Sequence, residues 1–214
     1  MVAALAQAGR GYNNFKKYKI MKNKSLWIIL GIVAVVLVWG VSGYNGLVTK
    51  HERVSEAWAN VETVYQRRAD LIPNLVNTVK GYAAHEQETL AQVTEARAKS
   101  TSMTIDPSTA TPAQMEAWME AQSEVGSALG RLIAISENYP DLKANQNFLE
   151  LQKQLEGTEN RISTERRKYN EEVRGYNAKI RRFPTNILAG MFGFEKMVMF
   201  EAQEGAEVAP VVEF

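Results

Sequence analysis

The chain has 214 residues, 45% of them hydrophobic and 23% charged, which is the make-up of a folded protein within the size range of a single domain. It contains no cysteine, and this excludes disulfide staples, cysteine-ligated zinc, iron–sulfur clusters and thiol chemistry together. The net charge of +1 predicts no general attraction to nucleic acid, yet residues 1–24 carry six Lys/Arg and no acid, leaving nineteen basic against twenty-four acidic groups beyond them.

From Leu26 to Val41, sixteen residues carry no polar group other than the indole N–H of Trp27 and Trp39. With Ser25 and the Ser42-Gly43-Tyr44 flank the run covers positions 25–44, matching the ~20 residues that cross a bilayer core. Trp27 and Tyr44 stand near its ends, where amphipathic rings favour the interface. A buried core helix and a cleaved signal peptide ending at Val41-Ser42-Gly43 are the competing readings. The basic flank and the lack of any polar face oppose the first, and a run longer than the usual ~15-residue apolar stretch of a signal peptide opposes the second. A retained transmembrane helix is therefore expected. The basic flank precedes it, while Lys50 and Arg53 after it are balanced by Glu52 and Glu56. The positive-inside rule then leaves the N-terminus in the cytoplasm and exports the remainder. Met21-Lys22-Asn23-Lys24 has the form of a natural start, which would make residues 1–20 an upstream extension.

After the span, apolar positions recur in steps of four and three: Val54, Trp58, Val61, Tyr65, Arg68, Ile72, Leu75, Val79, Tyr82, Glu86. Heptad spacing of this kind is the seam of a long helix packed in a bundle. Pro73 falls inside it, and proline removes a backbone donor and crowds the preceding turn, so a kink or a one-turn restart is expected there. Because the seam keeps its phase, the segment from Asn45 to about Lys99 reads as one bent rod, about 80 Å long at ~1.5 Å per residue. Ser100–Ala110 reads as the first loop. Thr111, Pro112 and Gln114 then form a capping-box start to a helix whose seam is Met115, Trp118, Gln122, Val125, Leu129, Leu132, Ser136 and Tyr139, ended by Pro140.

The last long helix is expected from about Leu142 to Arg182. Its stripe is Leu151 or Gln152, Leu155, Ile162, Tyr169, Val173, Tyr176, Ile180 and Phe183, and Pro184 stops it. No segment outside the span alternates as a strand would. The expected fold is all-α: an N-terminal transmembrane helix followed by an elongated antiparallel bundle of three long helices, the first kinked at Pro73. The expected divisions are a basic cytoplasmic leader (1–24), the transmembrane helix (25–44), the bundle (45–183), and an apolar short segment with an acidic tail (184–214). That last segment reads as a short helix closing the bundle end and a mobile tail. Its apolar residues also read as a contact with the bilayer or a neighbouring subunit.

Several stretches resemble the LemA family of bacterial membrane proteins: Tyr44-Asn45-Gly46-Leu47-Val48, Arg67-Arg68-Ala69-Asp70-Leu71-Ile72-Pro73-Asn74-Leu75-Val76, Thr78-Val79-Lys80-Gly81-Tyr82-Ala83 and Tyr139-Pro140-Asp141-Leu142-Lys143-Ala144-Asn145. His85-Glu86, Asn147-Phe148-Leu149-Glu150-Leu151-Gln152, Thr158-Glu159-Asn160-Arg161-Ile162, Tyr169-Asn170, Tyr176-Asn177 and Phe183-Pro184 continue the likeness, which covers residues 21 to about 200. The resemblance implies a protein of the bacterial inner membrane with one N-terminal membrane helix and an extended helical bundle. It implies no catalytic residues, and a magnetosome-membrane relative suggests membrane organisation by analogy.

The chain has two histidines, His51 and His85, which on one rod would stand ~50 Å apart and could not share a metal. No zinc-protease helix, phosphate loop or serine elbow is present, so no catalytic, cofactor or metal residue is assigned and no enzyme is expected. Arg68 is the unusual feature. A charge on a buried stripe requires a partner, expected on the last helix at Glu159 or Glu165, as a registry lock or alternatively as a polar pivot that transmits a signal. The Tyr-Asn pairs at 169/170 and 176/177 lie one heptad apart and read as core packing, with a ligand-binding ladder as the other reading. The functional expectation is a membrane-anchored scaffold, with an accessory or sensor subunit of a membrane enzyme such as a protease as the alternative. Expected partners are membrane lipid along residues 25–44 and a second copy or another membrane protein, with no nucleic acid and no small-molecule substrate identified.

Overall fold

The computed structural model describes the backbone of residues 2–201 and the side chains of residues 25–201. The acidic tail from residue 202 onward, expected to be mobile, lies outside the described residues. All regular structure among the described residues is helical: α1 (Val2–Lys80), α2 (Gln87–Ser102), α3 (Pro112–Ile135), a 3₁₀ turn (Ser136–Asn138), α4 (Pro140–Lys143), α5 (Gln146–Arg181) and α6 (Thr185–Phe192). Two compact units divide the chain, Met1–Gly46 and Leu47–Phe214.

In the first unit the apolar run of α1 is long and apolar enough to cross a membrane, and none of it is buried by protein. Trp27, Val35 and Val38 are at least 70% exposed, the opposite of a core helix. One candidate membrane-spanning helix is what these residues form.

In the second unit the heptad seams are the core. Val54, Trp58, Val61, Tyr65, Arg68, Ile72, Leu75 and Val79 of α1 are all buried, as are Met115, Trp118, Gln122, Val125, Leu129 and Leu132 of α3. On α5 the buried stripe is Leu155, Ile162, Tyr169, Val173, Tyr176 and Ile180. Lys50 pairs with Glu172, Arg68 with Glu159 and the Asn145 amide with the Tyr82 hydroxyl. Rising numbers on α1 thus meet falling numbers on α5, and the two run antiparallel here. The predicted capping box starts α3: Thr111 Oγ1 accepts the Gln114 N–H at 3.2 Å while Gln114 Oε1 accepts the Thr111 N–H at 2.9 Å. Asn145 caps α5 with a single bond, its Oδ1 accepting the Phe148 N–H.

The expected bent rod from Asn45 to Lys99 does not form. α1 ends at Lys80, the chain turns over residues 81–86, and α2 folds back, so that Arg97 reaches Ala69. Tyr82, placed on the seam by its spacing, is 44% exposed in that turn. The loop accordingly begins at Met103 rather than Ser100, and α5 begins after a separate one-turn helix, α4. Phe183, expected to end the buried stripe of α5, is 81% exposed.

Pro73 explains where α2 docks. The helix passes through this proline without stopping, but a proline at position 73 has no N–H to give the carbonyl of residue 69. Arg97 Nε donates to that carbonyl at 2.7 Å. The expected restart is absent because a side chain from the returning helix satisfies the group the proline orphans. If so, Arg97→Leu should lower the unfolding free energy by about 1–3 kcal/mol, the cost of an unsatisfied buried acceptor. In a Pro73→Ala background, where the backbone N–H returns, the same substitution should cost far less. Urea unfolding of the four proteins in the double-mutant cycle measures the coupling, and equal costs in both backgrounds would contradict it.

Candidate functional site

Two apolar clusters make up the core of the second unit. One holds Trp58, Tyr65, Trp118, Ile162 and Tyr169; the other holds Ile72, Leu75, Val125, Leu129 and Leu155. On each long helix the boundary falls at one polar position or its neighbour: Arg68 between Tyr65 and Ile72, Gln122 between Trp118 and Val125, and Thr158-Glu159 between Leu155 and Ile162. The seams therefore bring one polar layer into register across α1, α3 and α5.

Arg68 is 4% exposed and spends its guanidinium on this layer. One terminal nitrogen donates to Glu159 Oε1 at 2.9 Å; the other donates to the Gln122 backbone carbonyl at 3.0 Å and to Gln122 Oε1 at 2.7 Å. The guanidinium also lies 5.0 Å from the Tyr65 ring centroid, within cation–π range. Glu159 was one of the two partners expected from sequence, while Glu165 instead pairs with Lys168 on its own helix. Gln122 was legible only as a seam residue; the signal for its role was an amide on one buried stripe facing a charge on another. Burial pushes the Tyr65 hydroxyl above its ordinary pKa, and the nearby Arg166 and Arg68 charges partly oppose this. An open cleft of about 900 Å³, with Arg68, Gln122, Glu159 and Arg166 on its wall, lies on one side of the layer. A second, of about 760 Å³, is lined by Arg68, Gln122 and Asp70 among others.

The Tyr-Asn pairs form the second constellation. After α6 the chain reverses at Gly193, the one positive-φ residue described, at φ 72°, a conformation that favours glycine. It then runs extended along α5. Asn177 brackets Met197: Nδ2 donates to the Met197 carbonyl at 2.8 Å and Oδ1 accepts the Met197 N–H at 3.0 Å. Asn170 brackets Phe200 identically, at 2.8 Å in both directions, and the Tyr169 hydroxyl donates to the Val198 carbonyl at 2.9 Å. The spacing fits: seven helical residues advance ~10.5 Å, and three extended residues advance about 10 Å. Of the two readings of these pairs, core packing is the one that the burial of Tyr169 and Tyr176 supports, and the asparagines beside them bracket this chain's own segment 197–200. The Tyr169 ring also packs in the core, and burial drives its hydroxyl well above the ordinary tyrosine range.

Phe200 closes an aromatic box. Its ring stacks on Trp58 at 5.8 Å, meets Tyr169 edge-on at 5.2 Å and tilts against Trp118 at 6.0 Å, with Arg166 over its face at 4.8 Å. The buried Trp58 indole N–H has no hydrogen-bond acceptor among the described residues, a cost of about 1–3 kcal/mol. The box offsets this, since each aromatic pair adds about 0.5–1.5 kcal/mol beyond area burial.

The histidines are placed apart in role. His51 packs edge-on against Tyr176 and Phe194, with ring centroids 6.0 and 6.2 Å away, while His85 is exposed in the turn after α1. No group of three or more His, Cys, Asp or Glu that could hold a metal occurs among the described residues. What the polar layer and the asparagine brackets do chemically is fix register: each supplies directional hydrogen bonds at one place along otherwise non-directional apolar seams.

The model of the LemA family matches residues 57–214, a stretch that contains the polar layer, the returning helix and the bracketed segment. Protein LemA of Metamycoplasma hominis is 27% identical over 179 residues, covering 84% of this chain and 78% of the relative. Magnetosome protein MamQ 2 of Paramagnetospirillum magneticum is 26% identical over 201 residues, covering 86% of this chain and 73% of its own. Magnetosome protein MamQ of Magnetospirillum gryphiswaldense is 25% identical with the same coverage.

Two outcomes test the geometry. Glu159 is half-exposed, so Glu159→Gln should cost less than about 1 kcal/mol. Arg68→Glu combined with Glu159→Arg should not restore stability, because a carboxylate at 68 would face the two Gln122 oxygens; full recovery of the melting temperature would contradict the three-acceptor arrangement. Asn177→Ala leaves both backbone groups of Met197 unpaired, at about 1–3 kcal/mol each. Amide exchange at Met197 should then accelerate by at least about tenfold, since 1.4 kcal/mol is a factor of ten, with little change at Leu75 in the other cluster. Unchanged exchange at Met197 would refute the bracket.

Proposed function

The chain belongs to the LemA family, and from that premise we propose that it is a membrane-anchored scaffolding protein, spanning the inner membrane once, that self-associates or docks partners at the bilayer surface. Its relatives named for LemA and MamQ fit a membrane-associated protein. The observation that carries the proposal is that one helix, α1, supplies both the apolar run and a seam of the second unit's core. Heptad seams keyed by a polar layer suit a unit that presents surfaces at fixed positions. In this reading the second unit is an elongated antiparallel bundle of α1, α3 and α5, with α2 laid along one half. It has no catalytic role of its own. The N-terminus is cytoplasmic and the bundle exported, as the six basic residues before the run favour.

A single experiment addresses both parts. Thr104 is exposed in the loop between α2 and α3, and a Thr104→Cys variant carries the only thiol in the chain. In intact cells, a membrane-impermeant thiol-reactive photo-cross-linker is expected to label it from outside and give adducts of dimer mass or larger. Labelling only after the membrane is opened would reverse the orientation. A labelled but strictly monomeric species would remove the docking role.

A further inference from the structure

Helix α6 is apolar on two sides, but the described residues cover only one. Leu188 and Ala189 are buried against the core, whereas Ile187 and Met191, four apart on the outward face, are 50% and 71% exposed. Phe183, one further step of four back, is 81% exposed. A helix that is apolar all round normally has all its sides covered, and a contiguous apolar surface of this kind marks a contact.

Position in the fold indicates which contact. Tyr176 of α5 packs on His51 of α1, and the two helices run antiparallel. Five residues onward from Tyr176 and five residues back from His51 are equal helical rises of ~7.5 Å; they reach Arg181 and Gly46, the latter the residue before the second unit begins. Phe194, just past α6, packs on His51 as well. Phe183 and α6 therefore sit at the end of the second unit where its chain joins the apolar run, which finishes at Tyr44, three residues before Leu47. Charge agrees with that placement. Arg181 and Arg182 precede Phe183 and Lys196 follows α6, all exposed, and Glu195 is the one acid between residues 179 and 196. Apolar side chains flanked by exposed cations are the composition of a surface that rests in the headgroup region of an anionic bilayer.

We propose that Phe183 and the outward face of α6 form a second, interfacial membrane contact, seated in the same bilayer that residues 25–44 cross, with Arg181 and Arg182 against lipid phosphates. This rests on the membrane-spanning reading of α1, and the test separates the two. The full chain is reconstituted in vesicles of phosphatidylcholine and phosphatidylglycerol, with single cysteines carrying a nitroxide at Met191→Cys, at Ile187→Cys as a second reporter, at Val35→Cys in the apolar run, and at Thr101→Cys as an exposed control on α2. The ratio of collisions with oxygen to collisions with a water-soluble nickel chelate reads depth.

At Met191 and Ile187 the ratio is expected to be several-fold above that at Thr101, and to drop when Arg181→Glu and Arg182→Glu are introduced together. Ratios at 187 and 191 equal to that at 101, with Val35 deep in lipid, would overturn this contact and leave the spanning helix standing. Val35 in water would overturn both. Protection at 191 that vanishes when labelled protein is diluted with unlabelled protein in the bilayer would assign the face to a second copy instead, and overturn the lipid contact.

Discussion

The buried guanidinium of Arg68 sets the order of everything around it. Apolar seams of heptad spacing attract without direction, and a slide of one heptad along such a seam leaves most burial unchanged. A buried cation cannot slide, because away from its acceptors it would stand desolvated and unpaired, at a cost of several kcal/mol. Its three acceptors lie on two different helices, Gln122 on α3 and Glu159 on α5. One side chain therefore fixes the alignment of three helices and separates the core into two clusters that pack different things. The cluster beyond the layer receives α2; the cluster on the side of Leu47 receives the loop at Ile105, the face of α6 and the bracketed segment.

The same logic recurs wherever backbone groups lack partners. Pro73 orphans the Ala69 carbonyl inside a helix, and Arg97 supplies the missing donor from α2. The segment after Gly193 has no neighbouring strand among the described residues, and Asn170 and Asn177 stand in for one, each offering a donor and an acceptor as a peptide group would. These contacts are individually modest, about 1 kcal/mol net for an ordinary hydrogen bond. They matter because the alternative is a buried polar group left unmet. They also distribute the unit's specificity: Arg68 aligns the helices, Arg97 places the hairpin, and the two asparagines place the C-terminal segment.

For function, the consequence is a unit in which the buried Arg68, Gln122 and Asn177 hold its own parts. Both terminal nitrogens of Arg68 are hydrogen-bonded, the tyrosine hydroxyl at 169 is bonded to main chain, and the brackets are filled by residues 197–200. This fits the scaffolding role proposed above, and the proposed bilayer contact of α6 would give that unit a place to rest.

The sequence by itself determined the apolar run, the three buried stripes, the capping box at Thr111 and the need of Arg68 for a carboxylate such as Glu159. Each of these is local or periodic information: a run of side chains, a spacing of three and four, a hydroxyl three residues from an amide, a charge out of place on an apolar stripe. The turn at 81–86 was hidden because Tyr82 and Glu86 happen to continue the spacing, and periodicity reports which face could be buried without reporting where the chain reverses. Met197 and Phe200 gave no sign of their brackets, since an extended segment paired by side chains has neither helical nor strand period. Arg97 was silent until α2 was placed, and Gln122 showed only as an amide on a buried stripe. Only the tertiary structure decided these, because whether a donor finds its acceptor depends on which helices become neighbours, and that is a property of the packed whole rather than of any window along the chain.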